Sequence, residues 1–284
     1  MSSNLSIYQI APDGTAAAVK VQNWFASLNE AQQSLPEGVY TTFRTYHTHF
    51  VVRLSDHFRR LEESAALLGK SIHLEEGRIR QILADMVREQ NHPESRVRIS
   101  IDLTEANGSV YILIEPLITP SADEYEQGVA VGIRSMHREN PKAKSTRFIQ
   151  MAEAAKSISR GGVNEILMVS EDDLVLEGLS SNFFGILDGS VWTAEDGVLF
   201  GVTRGIVLDV LGDLQINCIR KPLPARELGR LEEAFITSAS RGVLPVVKVD
   251  ELSVGSGKPG IVTRKIRAGF NRLTERLMEP IWAR

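Results

Sequence analysis

The stretch "ENPKAKSTRFIQMAEAAK", residues 139–156, sets Lys142 and Lys144 in a proline-bearing extended segment just ahead of what reads as an amphipathic helix. Residues two apart in an extended chain share a face, so spacing alone does not separate the two lysines. A lysine is at home on a surface. Chemistry becomes the reading only if other segments bring it partners, so the flanking sequence has to decide.

Before this stretch, "VAVGIRSM" (129–136) reads as a strand, and after it Gly161 and Gly162 read as a helix stop. Strands follow at "EILMVS" (165–170) and within "LVLEGLSSNFFGILDGSVWTA" (174–194), with tight turns at 171–173 and 188–189. A helix from about Thr203, a strand near 216–223, a helix over 225–233, a strand over 233–239 and a terminal helix complete this half. On the other side, "LSIYQI", a turn at "APDG" (11–14) and "AAAVKV" read as a hairpin, and residues 23–38 as a helix or loop. In 39–54, β-branched and aromatic residues alternate with polar ones. A helix then opens with Ser55 as its cap and carries Phe58, Leu61, Ala65 and Leu68 at helical spacing. A second helix covers 75–91. The segment "SRVRISIDLTE" alternates strictly, Val97, Ile99, Ile101 and Leu103 against Arg96, Arg98, Ser100 and Asp102, and turns around 106–109 into a partner strand. The polar stretch "ITPSADEYEQG" (118–128) is the linker candidate. Strands and helices mix in both halves, which predicts an α+β fold of two lobes, a smaller one over 1–120 and a larger one over 121–284.

Composition narrows the function. With 284 residues, 43% hydrophobic and 24% charged, the chain has ample material for a core. A net charge of −4 argues against nucleic acid as a partner, because phosphate-backbone binders carry a basic excess. The single cysteine, Cys218, makes no internal disulfide and no zinc site by itself, and no signal sequence or long apolar run is present, so a cytoplasmic protein without membrane contact is expected. Phosphate-loop, dinucleotide and hydrolase-elbow motifs are absent. His47 and His49 sit at alternate strand positions, yet nothing places a third ligand, so no metal is expected.

Partners for a lysine do appear. Glu177 stands at a strand end in "VLEGLSSNFF", a run of small residues closed by Asn182, and "LFGVTR" places Thr203 where a helix opens with unbonded N–H groups suited to an anion. "HFRRL" (57–61) puts arginines on the helix after a strand.

Together these segments resemble the class IV aminotransferases, pyridoxal phosphate enzymes of fold type IV that include branched-chain aminotransferase, D-amino acid aminotransferase and aminodeoxychorismate lyase. The family has a lysine followed by a helix and, some 33 residues on, an E-G-x-S-x-N segment; Lys144 and Glu177 meet that spacing, and Lys142 and Lys156 do not. The resemblance implies that Lys144 condenses with the cofactor aldehyde and then acts as general base and acid. It implies that Glu177 keeps the pyridine nitrogen protonated. Arg60 matches the family's phosphate-binding arginine, Val202 and Thr203 its backbone and hydroxyl phosphate contacts, and Ser238 and Ala239 a further phosphate-binding turn. Tyr40 and Arg44 match the strand that lines the substrate site, with Arg98, Ser240 and Arg241 further candidates for substrate contact.

Three departures bear on substrate. Thr41 follows Tyr40 where many relatives have glutamate; Arg241 and Gly242 stand where many transaminases have glutamate and isoleucine, and look more like lyase members; Arg147 replaces a frequent asparagine. An arginine at 241 could hold a second carboxylate. The resemblance therefore implies an aminotransferase moving an amino group between an amino acid, branched-chain by family default, and a 2-oxo acid. Its rival is aminodeoxychorismate lyase, which releases pyruvate and 4-aminobenzoate. A homodimer is implied as well.

Overall fold

The computed structural model describes residues 5–11, 16–18, 25–105, 108–158 and 162–282. By internal contacts the chain divides into two compact units, and the division is not a single cut in sequence. Residues 1–118 take in Ala143–Met151 and Leu277–Arg284, while the second unit holds Thr119–Lys142 and Ala152–Arg276.

In the first unit an antiparallel sheet runs in the order Ala16–Ala18, Ser6–Ile10, Val110–Pro116, Ser95–Asp102, Gly38–Arg44. The turn expected at 11–14 falls largely outside the described residues, as does part of that at 106–109. Val97, Ile99 and Ile101 face the core as their alternation predicts. They pack with Leu54, Phe58, Leu61 and Ala65 of the helix Leu54–Leu67 and with Ile79, Leu83 and Val87 of the helix Glu76–Gln90. Each such side chain contributes roughly 1.5–3 kcal/mol by leaving water. The opposite sheet face is covered too: the five-residue helix Leu28–Gln32, capped by Ser27, lies where Arg98 and Ser100 can reach it. Ser55 is not the cap that its position suggested. The helix starts two residues earlier, at Leu54 with Arg53 in the cap position, and the Ser55 hydroxyl instead donates to Glu76 at 2.6 Å. The C-terminal strand Met278–Pro280 joins this unit by pairing with Phe50–Val52, and the buried Arg80 secures it through Glu279 and the Ile281 carbonyl.

The second unit is a mixed sheet. Its pairings pass from Ser181–Leu187 through Glu233–Ser238, Gly242–Val249, Val129–Ser135 and Glu165–Val169 to Leu174–Gly178. That last strand pairs back on the first, Glu177 opposite Asn182 and Gly178 opposite Ser181, so the ladder closes on itself. Closure leaves none of these six strands as an open edge. Asp188 and Gly189 both have positive φ, as a two-residue hairpin turn requires. The polar stretch read as a linker is partly helical: Ala122–Gln127 opens with a capping box in which Ser121 and Glu124 satisfy each other's backbone N–H groups. Of the expected helix over 225–233, only a 3-10 turn at Ala225–Arg230 forms. The helix after Lys144 spans Arg147–Ile158, and its expected glycine stop begins outside the described residues. In the terminal helix Ile261–Leu277, Gly269 allows close approach to Val210 of the helix Val202–Asp213; a β-carbon there would stand 2.7 Å from a Val210 methyl.

Candidate active site

Lys144 owes its position to the first sheet. The segment around it runs along the outer side of Gly38–Arg44: the Tyr40 N–H donates to the Lys144 carbonyl at 2.9 Å, and the Thr146 N–H donates to the Gly38 carbonyl at 2.9 Å. Val39 and Ser145 thereby form an antiparallel bridge. The Lys144 N–H donates to Ser64 Oγ at 3.1 Å. With its amide and carbonyl both held, the side chain starts from a fixed point, and its Nζ lies 4.5 Å from the centroid of the Tyr40 ring. Lys142 is exposed, its amine 5.5 Å from the Phe200 ring, and Lys156 pairs with Glu153 at 3.4 Å.

Near the same strand, Arg60 Nη2 donates to Thr41 Oγ1 at 2.6 Å, and His57 Nδ1 is 2.7 Å from that oxygen; all three side chains are buried. Burial, then the charges of Arg60 and Lys144, hold the His57 imidazole well below its ordinary pKa of 6.5. Tyr40 is buried as well, with the Arg98 guanidinium 4.7 Å from its ring centroid. Arg98 itself is fully enclosed, donating to the Leu28 carbonyl at 3.0 Å and to Asn29 Oδ1 at 2.7 Å. Arg44 pairs with Glu94 and lies over the Tyr46 ring.

The second unit carries the other candidates. Glu177 is 2% exposed, in the closing pair of the ladder. Its Oε2 accepts from Asn182 Nδ2 at 3.0 Å and from the Leu199 N–H at 3.2 Å, while Oε1 meets Arg138 Nε at 2.9 Å. Two N–H donors and one guanidinium thus surround this carboxylate. Asn182 also donates to the Leu199 carbonyl at 2.8 Å and so ties the hairpin to the segment that opens the helix Val202–Asp213. That helix begins at Gly201 with no side chain capping it, so Val202 and Thr203 stand in a first turn suited to an anion. The glycine of the E-G-x-S segment is explained by crowding: a β-carbon on Gly178 would lie 2.2 Å from Ser181 Oγ and 2.8 Å from Glu165 Cγ.

Ser238 ends its strand opposite Gly242, which has φ +59°, and Ala239, Ser240 and Arg241 form the turn between them. Arg241 is committed on every nitrogen: Nε to Ser238 Oγ at 3.0 Å, Nη1 to Asn164 Oδ1 at 3.1 Å, and Nη2 to both Glu165 and Ser180 Oγ at 2.8 Å. Glu165 is buried. Desolvation pushes its carboxyl up, but Arg241 and the Ser180 hydroxyl outweigh it and bring the net shift below the ordinary value. Sequence reading missed Glu165 and Arg138. Glu165 opens an apolar strand and Arg138 lies in a loop, and neither position carries a local signal of the partner it finds.

The structure thus groups Lys144, Tyr40 and Arg60 in one unit, and Glu177, Val202, Thr203 and the 238–241 turn in the other. Comparisons with known proteins identify the family. The family model described as amino-transferase class IV matches residues 38–249, a span that includes every one of these residues. A branched-chain-amino-acid aminotransferase of Pseudomonas aeruginosa is 26% identical over 253 residues, covering 82% of each chain. A D-alanine aminotransferase of Staphylococcus haemolyticus is 26% identical over 290 residues, 90% of this chain and 98% of that one. In fold, the chain is similar to the crystal structure of the Escherichia coli branched-chain amino acid aminotransferase, with a TM-score of 0.81 at 20% identity over 97% of this chain and 99% of that one. On the strength of a match across most of its length, this chain belongs to the class IV aminotransferase family.

Proposed function

We propose that this aminotransferase works with pyridoxal 5'-phosphate and moves the amino group of an aliphatic amino acid, branched-chain by preference, to a 2-oxo acid such as 2-oxoglutarate. The observation that carries the reading is the fixed start of the Lys144 side chain, with its amine held against the buried Tyr40 ring. The donor set fits the cofactor. A buried carboxylate held by two donors and a guanidinium suits a protonated ring nitrogen, and an uncapped helix opening and a guanidinium suit a phosphate dianion.

When bound, pyridoxal phosphate supplies an aldehyde that exchanges amines and a ring that accepts electrons. Lys144 would hold the cofactor through its Nζ, and with that amine free it would take the proton from the substrate Cα as a general base and return it as a general acid. A flexible amine suits both tasks, whereas an arginine would stay protonated. Glu177 would stabilise positive charge on the ring nitrogen, and Arg138 and Asn182 keep the carboxylate in place. Arg60 of the first unit and Val202, Thr203, Ser238 and Ala239 of the second would hold the phosphate. Tyr40 gives the substrate side chain an apolar wall, and Ser240 lies in the turn beside the phosphate contacts.

The lyase reading loses support on this chain's own residues. Arg44, Arg98 and Arg241, the arginines that a second substrate carboxylate would need, are already engaged by Glu94, by Leu28 and Asn29, and by Glu165 and Ser180. They act as braces. A D-amino acid donor is the second reading, favoured by the similarity to D-alanine aminotransferase. The assembly we propose is a cytoplasmic homodimer, supported by the resemblance to the family; no described helix is long and apolar enough to cross a membrane.

The test is a panel of L-leucine, L-valine, L-isoleucine and D-alanine with 2-oxoglutarate, products resolved by chiral chromatography, beside borohydride reduction and peptide mapping of the modified lysine. New glutamate from the branched-chain donors and label on Lys144 support the reading. Transfer from D-alanine alone overturns the substrate, and label on another lysine overturns the assignment of Lys144.

A further inference from the structure

We propose that Thr41 and His57 are positioning residues for Arg60: a one-way chain of hydrogen bonds from Arg60 to Thr41 to His57 aims the guanidinium and requires His57 to be neutral, with its proton on Nε2. The inference deepens the assignment of Arg60 to the cofactor phosphate and depends on it.

The direction of the chain follows from donor chemistry. A guanidinium has no acceptor, so in the 2.6 Å contact between Arg60 Nη2 and Thr41 Oγ1 the hydroxyl oxygen accepts. The hydroxyl proton is then available to His57 Nδ1, 2.7 Å away. Nδ1 also lies 3.3 Å from Arg60 Nη2, a donor-only atom. A proton on Nδ1 would set one N–H against another there, so Nδ1 is the acceptor of both contacts and Nε2 carries the hydrogen.

The surroundings act the same way. Arg60 lies on the same helix, Thr41 and Phe43 come from the strand, with the Phe43 ring 5.3 Å from the imidazole, and Lys144 comes from the segment bridged to that strand. The charges that bear on His57 from these elements, Arg60 and Lys144, are both cations. A second positive charge on the imidazole has no favourable place among them.

The consequence concerns phosphate affinity. A hydroxyl and a neutral imidazole fix the guanidinium without cancelling its charge, whereas a carboxylate at position 41 would hold it and offset that charge at the same time. An arginine already ordered loses less freedom when the anion arrives. Thr41 therefore serves the phosphate through Arg60 and touches no reacting atom.

The experiment compares the affinity of the full-length chain for pyridoxal phosphate with that for pyridoxal, which lacks the phosphate. Thr41→Val should weaken pyridoxal phosphate by about tenfold or more, the effect expected for a lost hydrogen bond to a charged group. Pyridoxal affinity should stay unchanged, and Thr41→Ser should restore most of the loss. An equal loss for both ligands, or no loss for either, overturns the inference while leaving the family reading intact. If the wild-type chain binds the two ligands equally, the assignment of Arg60 to phosphate fails, and the inference with it. Nitrogen NMR of the labelled wild-type holoenzyme decides even if Thr41→Val does not fold: a neutral His57 protonated on Nε2 at neutral pH supports the chain, and an Nδ1 proton or an imidazolium overturns it.

Discussion

Arg138 meets Glu177 in an ion pair of 2.9 Å, Nε to Oε1, with both side chains buried. Burying two charges costs nearly what their attraction returns, but removing one partner strands the other in a poor solvent. Arg138→Met should therefore destabilise the fold by about 3–5 kcal/mol. The double variant with Glu177→Gln should lose clearly less than the sum of the two single losses. Denaturant titration of the four proteins checks this, and simple additivity would mean that the two groups are not coupled.

Glu177→Gln keeps the shape of the carboxylate and removes its charge. If that charge stabilises a protonated ring nitrogen, turnover should fall far more than cofactor content, because the phosphate contacts are untouched. Cofactor released on denaturation and the rate of amino transfer measure the two separately; an unchanged rate would make Glu177 a structural carboxylate.

Arg241 spends its guanidinium on Ser238, Asn164, Glu165 and Ser180. Arg241→Met should therefore lower thermal stability, since Glu165 stays buried without its cation, and leave KM for a monocarboxylate donor and for 2-oxoglutarate within about twofold. A large rise in KM for the dicarboxylate alone would show instead that this arginine binds substrate.

Two buried groups make the fold sensitive to acid. Glu165 has a folded pKa below its unfolded value, so its contribution is present above the ordinary carboxylate range and is lost as pH falls through the folded pKa. His57 is also depressed, so below 6.5 the unfolded chain binds a proton that the folded chain refuses, and stability falls with pH until His57 is protonated in both states. Melting temperature should drop on acidification from 6.5, and His57→Gln should flatten the upper part of that slope, whereas an unchanged slope would remove His57 as its cause.

What the sequence made legible was mostly local. Val97, Ile99 and Ile101 alternate because one face of their strand packs on helices, and Phe58, Leu61 and Ala65 recur because one helix face does. The capping box at Ser121 and Glu124 was readable in the same way but was masked by the proline and the polar composition around it. Ser55 misled for the opposite reason: a good cap residue was recruited by Glu76 from another helix. The motifs singled out Lys144 and Glu177 as candidates, but no spacing could show that the lysine is stitched to Gly38–Arg44, roughly a hundred residues earlier, or that Arg138 and Glu165 find partners across the second sheet. Those links are set by tertiary pairing.

Gly201 tests how far the helix opening and Glu177 act together. A β-carbon at this position would stand 2.4 Å from Asn182 Oδ1, too close for any native contact. Asn182 cannot simply swing aside, because its amide nitrogen bridges Glu177 and the Leu199 carbonyl. Gly201→Ala should therefore cost only about 1–3 kcal/mol of stability, the range for overpacking a filled interior, because the φ of −68° at this position suits alanine. Its larger effect should fall on turnover, since displacing Asn182 loosens the carboxylate that it holds. Gly201→Ala combined with Asn182→Ala removes the clash together with the amide, so the pair should melt above the Gly201→Ala protein yet remain slow. If instead the double variant recovers full turnover, the Asn182 link to Glu177 has no part in catalysis, and the glycine serves packing alone.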